Sequence, residues 1–155
     1  INGEGYKHAD INECIENTIN IIWNELKYKA TVKKDYGKIP QTLCYPLELN
    51  QVFMNILINA SQAIEGYGEI LIKTRYNNGN IYISISDTGS GIGEEIKNKI
   101  FEPFFTTKDV GKGTGLGLSI TYDIIKKHKG DIRFESQAGA GTTFTVMIPA
   151  VEPHY

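Results

Sequence analysis

The chain has 155 residues, with 16 Lys and Arg against 18 Asp and Glu and a formal net charge of -2. That length suits one compact unit around one core, and so even a charge balance supplies no global field for nucleic acid or an anionic membrane, so any anion site must be local. Cys14 and Cys44 lie far apart without metal-ligand spacing and read as reduced thiols of a cytoplasmic protein, and no apolar run approaches the roughly 20 residues needed to cross a bilayer.

The start INGEGYKHAD lacks the charged and apolar blocks of a signal peptide and has no initiating Met, which suggests a piece of something longer. Asp10 is placed to cap a helix running to about Lys29, because Ile11, Cys14, Ile15, Thr18, Ile22 and Leu26 recur at helical spacing. ATVKKDYG and TLCY read as two short strands, and Pro46 fits the first turn of a helix that ends near Gly66.

That helix holds NQVFMNILINASQAI, in which Asn55 and Asn59 sit four apart and so share a face. Val52, Phe53, Ile56, Leu57, Ala60, Ala63 and Ile64 surround them with apolar neighbours, and an unpartnered buried amide costs roughly 1–3 kcal/mol. Something polar must meet these amides. A nucleotide phosphate group with its metal ion is one such partner; neighbouring loop backbone is the other.

After Gly68 the pattern alternates: EILIKTRY and NIYISISD form a hairpin, with the asparagine-glycine step of a tight turn at Asn77 to Gly79. The second strand runs into Asp87 and DTGSGIG, where Gly89, Gly91 and Gly93 let a ligand approach the backbone closely. A carboxylate at that strand end suits an amino group such as the exocyclic amine of adenine, and would reject guanine, which carries an oxygen at the matching position. The alternative is an aspartate that caps the turn.

Residues from Thr88 to Gly115 form a long glycine-dotted connection with one short helical candidate at Glu94 to Ile100, and loops of that length in a compact domain are usually functional, so it reads as a lid. Gly111, Gly113, Gly115 and Gly117 alternate ahead of a helix over Leu116 to Lys129 ended by Gly130, which leaves amides free to cradle phosphate at a helix N-terminus. The spacing does not match GxxxxGK[ST], and no Rossmann unit surrounds it. In FEPFFTTK, Phe101, Phe104 and Phe105 would anchor the lid by local packing or by docking on a partner, leaving Lys108 to reach a phosphate. DIRFES and TTFTVMIP flank AGAG as a second hairpin.

In this order the blocks resemble the catalytic ATP-binding domain of sensor histidine kinases, within the gyrase, chaperone, kinase and mismatch-repair ATPase superfamily. NILINASQAI matches the family's N box, DTGSGIG its first glycine box, FEPFFTTK its F box, GKGTGLGLS its second glycine box and GAGTTF its third. The resemblance implies an α+β fold, a two-layer α/β sandwich of Bergerat type. Its mixed, mostly antiparallel sheet would be covered on one face by about three helices, with a mobile ATP lid. Residues 1–9 would be a linker from an absent N-terminal dimerisation and phosphoacceptor domain, 10–150 the ATP-binding catalytic domain with its lid at about 92–115, and 151–155 a tail.

The implied function is to bind Mg-ATP and donate the γ-phosphate to a histidine on the separate dimerisation domain, from which a response regulator receiver domain takes it. Asn59, with Asn55 assisting, would bind Mg2+, and Asp87 would read the adenine amine with Thr142 in support. Gln62, Gly89, Gly91, Ile92, Lys108, Gly113, Thr114, Gly115, Leu116, Gly117 and Leu118 complete the implied ATP set, Lys108 and the Gly113 to Leu118 amides serving the phosphates. Asparagine oxygen is a hard, neutral ligand suited to a metal that keeps several waters.

Many family members carry lysine three residues after the metal asparagine and an aromatic beside it, whereas this chain has Gln62 and Ala63, which resembles the subgroup of nitrogen-regulation sensor kinases. His8, His128 and His154 do not match the family's phosphoacceptor motif. Two other functions share the boxes: an ATP-hydrolysing chaperone or gyrase-type domain, in which a glutamate stands where Asn55 does, and a non-catalytic nucleotide-binding module. A serine kinase of the anti-sigma type shares them as well.

Overall fold

The alternation in ILIKT and IYISI puts Ile70, Ile72, Ile81, Ile83 and Ile85 on one side of two neighbouring strands, and on that side the core forms. The computed structural model describes residues 5–103 and 117–152. Its elements in chain order are β1 (Lys7–Ala9), α1 (Ile11–Ile21), α2 (Trp23–Leu26), β2 (Ala30–Tyr36), β3 (Thr42–Cys44), α3 (Pro46–Ala63), β4 (Gly68–Asn77) and β5 (Asn80–Asp87). A 3-10 helix over Glu94–Lys99 follows, then α4 (Gly117–Lys127), β6 (Asp131–Gln137) and β7 (Gly141–Pro149).

Five strands make a sheet in the order β2-β4-β5-β7-β6, with β2 parallel to β4 and the other pairs antiparallel. The helices lie on one face. Phe53, Ile56 and Leu57 of α3, with Ile11 and Ile15 of α1 and Ile125 of α4, close over the buried isoleucines, Phe144 and Val146 of the strands. This is the two-layer α+β sandwich expected from the sequence. On the opposite face Ser84, Ser86, Thr143 and Thr145 are half-buried, and the Ser86 and Thr143 hydroxyls meet at 2.8 Å. The β4–β5 hairpin turns through Asn78 (φ 50) and Gly79 (φ 83), both left-handed as a two-residue turn of this twist requires.

Some boundaries differ from the pattern. Asp10 caps α1 by accepting from the Asn12 amide at 2.8 Å, but the helix breaks at Ile22 instead of running to Lys29. Thr18 turns its hydroxyl back onto the Cys14 carbonyl at 2.9 Å, a bond that bends helices. β3 does not join the main sheet; it pairs antiparallel with β1, from Lys7 opposite Cys44 to Ala9 opposite Thr42. α4 stops at Lys127, and Lys129 (φ 61), not Gly130, takes the left-handed conformation. Gly130 is needed for space, since a Cβ there would lie 2.1 Å from the Met147 carbonyl oxygen.

Both cysteines are free and buried, and burial pushes the Cys14 thiol up to about 11 and the Cys44 thiol to about 12, which keeps them protonated and unreactive. Among the described residues no helix is long and apolar enough to cross a membrane.

Candidate functional site

α3 carries one end of the site. Val52, Phe53, Ile56, Leu57 and Ala60 are buried, while Asn55 and Asn59 sit half-buried at the margin of that apolar face. Asn55 Nδ2 donates to the Gly117 carbonyl at 2.9 Å and to Thr121 Oγ1 at 3.2 Å, and its Oδ1 accepts from Gln51 Nε2 at 2.8 Å. Its polar demand is therefore met partly by helix α4, and the backbone its nitrogen bonds belongs to that helix and not to a neighbouring loop. The oxygen faces an exposed glutamine that a ligand can displace. These bonds place Asn55 beside the first described turn of α4. Gln62 is exposed near the end of α3, and Leu118 packs against the core.

Asp87 marks the other end. It closes β5 opposite Thr142 of β7, on the helix-covered side and half-buried. Its Oδ1 accepts from the Gly89 amide at 2.8 Å, so it does cap the turn. Burial raises its carboxyl above the usual carboxylate range, and hydrogen bonds from the Gly89 and Thr142 backbone oppose that shift. A carboxylate accepts several hydrogen bonds, so the cap leaves Asp87 with acceptor capacity for a ligand.

The glycine loop after Asp87 is clamped between α3 and the β6–β7 turn. The Ser90 amide donates to the Ala63 carbonyl at 2.9 Å, and the Gly139 amide to the Ser90 carbonyl at 2.5 Å. A Cβ on Gly89 would sit 2.7 Å from the Ala63 side chain and carbonyl oxygen; one on Gly91, at φ 76, would sit 1.9 Å from the Gln137 carbonyl oxygen. Ala63 is the last residue of α3, and at 1.5 Å per residue it lies about 12 Å along the axis from Asn55. One rigid helix thus spaces the amide end from the acid end by a distance on the scale of an extended nucleoside triphosphate.

Beside Asp87 opens a recess of about 290 Å³, lined by Asp87, Glu135, Ser136, Gln137, Ala140, Gly141, Thr142 and Thr143. Thr142 stands directly across the strands from Asp87. Ser136 was not singled out from the sequence, yet its Oγ bonds the Ile92 amide at 2.7 Å, the Gly141 carbonyl at 3.1 Å and Thr142 Oγ1 at 2.8 Å. Thr121 and Ala63 were missed likewise. The register of the second hairpin, which sets Ser136 opposite Thr142, was the signal that could have found it.

Lys108, Gly113, Thr114, Gly115 and Leu116, with Phe104, Phe105 and the lid beyond residue 103, lie outside the described residues. Phe101 is described and packs locally, its ring 5.6 Å from that of Tyr122 and 5.9 Å from that of Phe134. His128 is also structural: its Nδ1 meets the Ile124 carbonyl at 2.8 Å and its Nε2 accepts from the Tyr45 amide at 3.0 Å, so the neutral ring with Nδ1 protonated fits both. Burial lowers its pKa, in keeping with that form.

Residues 44–152 match the family described as Histidine kinase-, DNA gyrase B-, and HSP90-like ATPase. The signal transduction histidine-protein kinase AtoS of Escherichia coli K12 is 52% identical over 102 residues, 65% of this chain and 16% of that protein. Sporulation kinase E of Bacillus subtilis 168 is 41% identical over 148 residues, 93% of this chain and 20% of that protein. The chain thus spans a fifth or less of the length of these two relatives. The nucleotide-free catalytic domain of histidine kinase ThkA superposes with a TM-score of 0.83 at 31% identity, covering 94% of this chain and 96% of that one.

Proposed function

The chain belongs to the Histidine kinase-, DNA gyrase B-, and HSP90-like ATPase family, and from that premise we propose that it binds Mg-ATP and presents the γ-phosphate to a histidine on a separate helical dimerisation domain. In this reading residues 10–150 are the catalytic part of a two-component sensor kinase, residues 1–9 lead in from the dimerisation domain, and a response regulator takes the phosphoryl group onward. The domain works in the cytoplasm.

The observation that supports this best is the spacing along α3, which carries Asn55 against α4 and, about 12 Å further along its axis, meets the glycine loop that follows Asp87. Asp87 accepts the adenine amine, with Thr142 beside it. Gly89 and Gly91 let the loop after Asp87 pack directly on Ala63 and Gln137, where a side chain would not fit, and Ile92 flanks the base. Asn59, assisted by the Asn55 oxygen, holds Mg2+; two neutral oxygen donors on one helix fit a metal whose charge is met mainly by phosphate. When bound, Mg2+ neutralises phosphate charge as the group transfers. The Gly113 to Leu118 amides and Lys108 cradle the phosphates. Where the hydrolysing relatives carry a glutamate this chain has Asn55, which cannot take a proton at neutral pH, and this favours transfer to a separate acceptor over hydrolysis.

The test is to incubate the chain with γ-labelled ATP, Mg2+ and the purified helical acceptor domain of its full-length protein. Acid-labile label on histidine is expected. Tight ATP binding without label would overturn transfer in favour of a binding module, and steady phosphate release by the chain alone, abolished by Asn59→Ala, would favour a hydrolase.

A further inference from the structure

Ser136 is buried on β6, paired with Thr142 of β7. Its hydroxyl lies within bonding distance of the Ile92 amide, the Gly141 carbonyl and the Thr142 hydroxyl. A serine hydroxyl has one proton to give and two lone pairs to offer. The Ile92 N–H can only donate and the Gly141 carbonyl can only accept, so the serine proton goes to Gly141 and one lone pair takes Ile92. The remaining lone pair can only be met by a donor, and that donor is Thr142.

The proton of Thr142 is therefore committed inward, and what this hydroxyl offers a ligand is lone pairs. Asp87, its partner across the strands and fellow lining of the recess, is an acceptor too. Paired across the strands, the two side chains share one face of the sheet and both offer acceptors. We propose that Ser136 is a positioning residue that holds the Thr142 hydroxyl as an acceptor and so selects a base bearing an exocyclic amine over one bearing a carbonyl in its place. This rests on the nucleotide reading of the site. The Ile92 bond adds that the same hydroxyl anchors the backbone leading out of the glycine loop.

Without the serine hydroxyl, Thr142 is free to rotate its proton toward a ligand carbonyl. The test measures displacement of a fluorescent ATP analogue by ATP and by inosine triphosphate, which carries a carbonyl where ATP has the amine. It compares the wild type with Ser136→Ala, Ser136→Cys and Ser136→Thr, with thermal unfolding alongside. The wild type should prefer ATP. Ser136→Ala should narrow the ATP-to-inosine ratio by about tenfold, the scale of one mismatched buried hydrogen bond. Ser136→Cys, close in size, should narrow it as well if the alanine variant does not fold, and Ser136→Thr, which keeps the hydroxyl, should restore it. A lower melting temperature with an unchanged ratio in the Ala and Cys variants would overturn the inference and leave Ser136 a packing residue. A wild type that binds both nucleotides equally would instead sink the base-reading role of Asp87 itself.

Discussion

Replacing Asp87 by Asn tests the acid end of the site with the least disturbance to the fold. Asn is isosteric, and its side-chain oxygen can still accept from the Gly89 amide, now bonded at 2.8 Å, so the turn should survive. What changes is the atom offered to the base. A charge-assisted hydrogen bond is worth about 2 kcal/mol, and turning an amide N–H2 toward the adenine amine sets donor against donor for about 1–2 kcal/mol more. The sum of about 3–4 kcal/mol corresponds to a Kd for Mg-ATP roughly 100- to 1,000-fold weaker at 1.4 kcal/mol per decade. Isothermal titration calorimetry reads this directly, with thermal unfolding to show that the fold is retained. Because burial raises the Asp87 carboxyl, wild-type affinity should also fall on acidification before ordinary carboxylates titrate, and the Asn variant should lack that dependence. Wild-type affinity in a folded Asn variant would refute the assignment.

Gly91→Ala should lower stability by at least about 2 kcal/mol in urea denaturation, since it places a Cβ against the Gln137 carbonyl at a left-handed φ that alone costs roughly 1–2 kcal/mol; an unchanged midpoint would mean that the clamp on the loop is loose. His128 should make stability depend on pH. Its folded pKa is lowered, so the unfolded chain takes up the proton first, and stability present near pH 7 should decline as pH falls through the unfolded value of about 6.5 toward the folded one. Glu16, Asp35 and Asp131, all lowered by hydrogen-bonded cations or a phenol, titrate below that window. His128→Gln should flatten the curve in chemical denaturation at stepped pH, and an identical slope in the variant would assign the effect elsewhere.

The central hairpin was readable because its signals are local: alternation sets which face is buried, and Asn78 with Gly79 sets the register. The polar demand of the asparagine pair was readable because an amide in an apolar setting needs a partner. The identity of that partner was not, since Gly117 and Thr121 reach Asn55 only through the packing of α4 on α3. Ser136 escaped notice for the same reason. In DIRFES it is one more strand residue, and its three bonds exist only once the β7 strand and the glycine loop are both in place. β1 is too short to show alternation, and Gly130, whose amide bonds back to the Ile125 carbonyl at the end of α4, showed its identity but not the reason it must lack a side chain, which is the approach of Met147.

α3 acts as a ruler between the two ends of the site, and this constrains how the chain can vary in length. One residue inserted between Asn55 and Ala63 would rotate one end against the other by about 100° and push half of the helix's apolar face into solvent. The Asn77 to Asn80 turn is the contrasting case: it sits seven strand residues from Asp87, about 24 Å at 3.4 Å each, at the opposite end of the strands. Homologous chains should therefore gain and lose residues at that turn and keep the helical interval constant, and a tag or reporter inserted there should leave nucleotide binding intact.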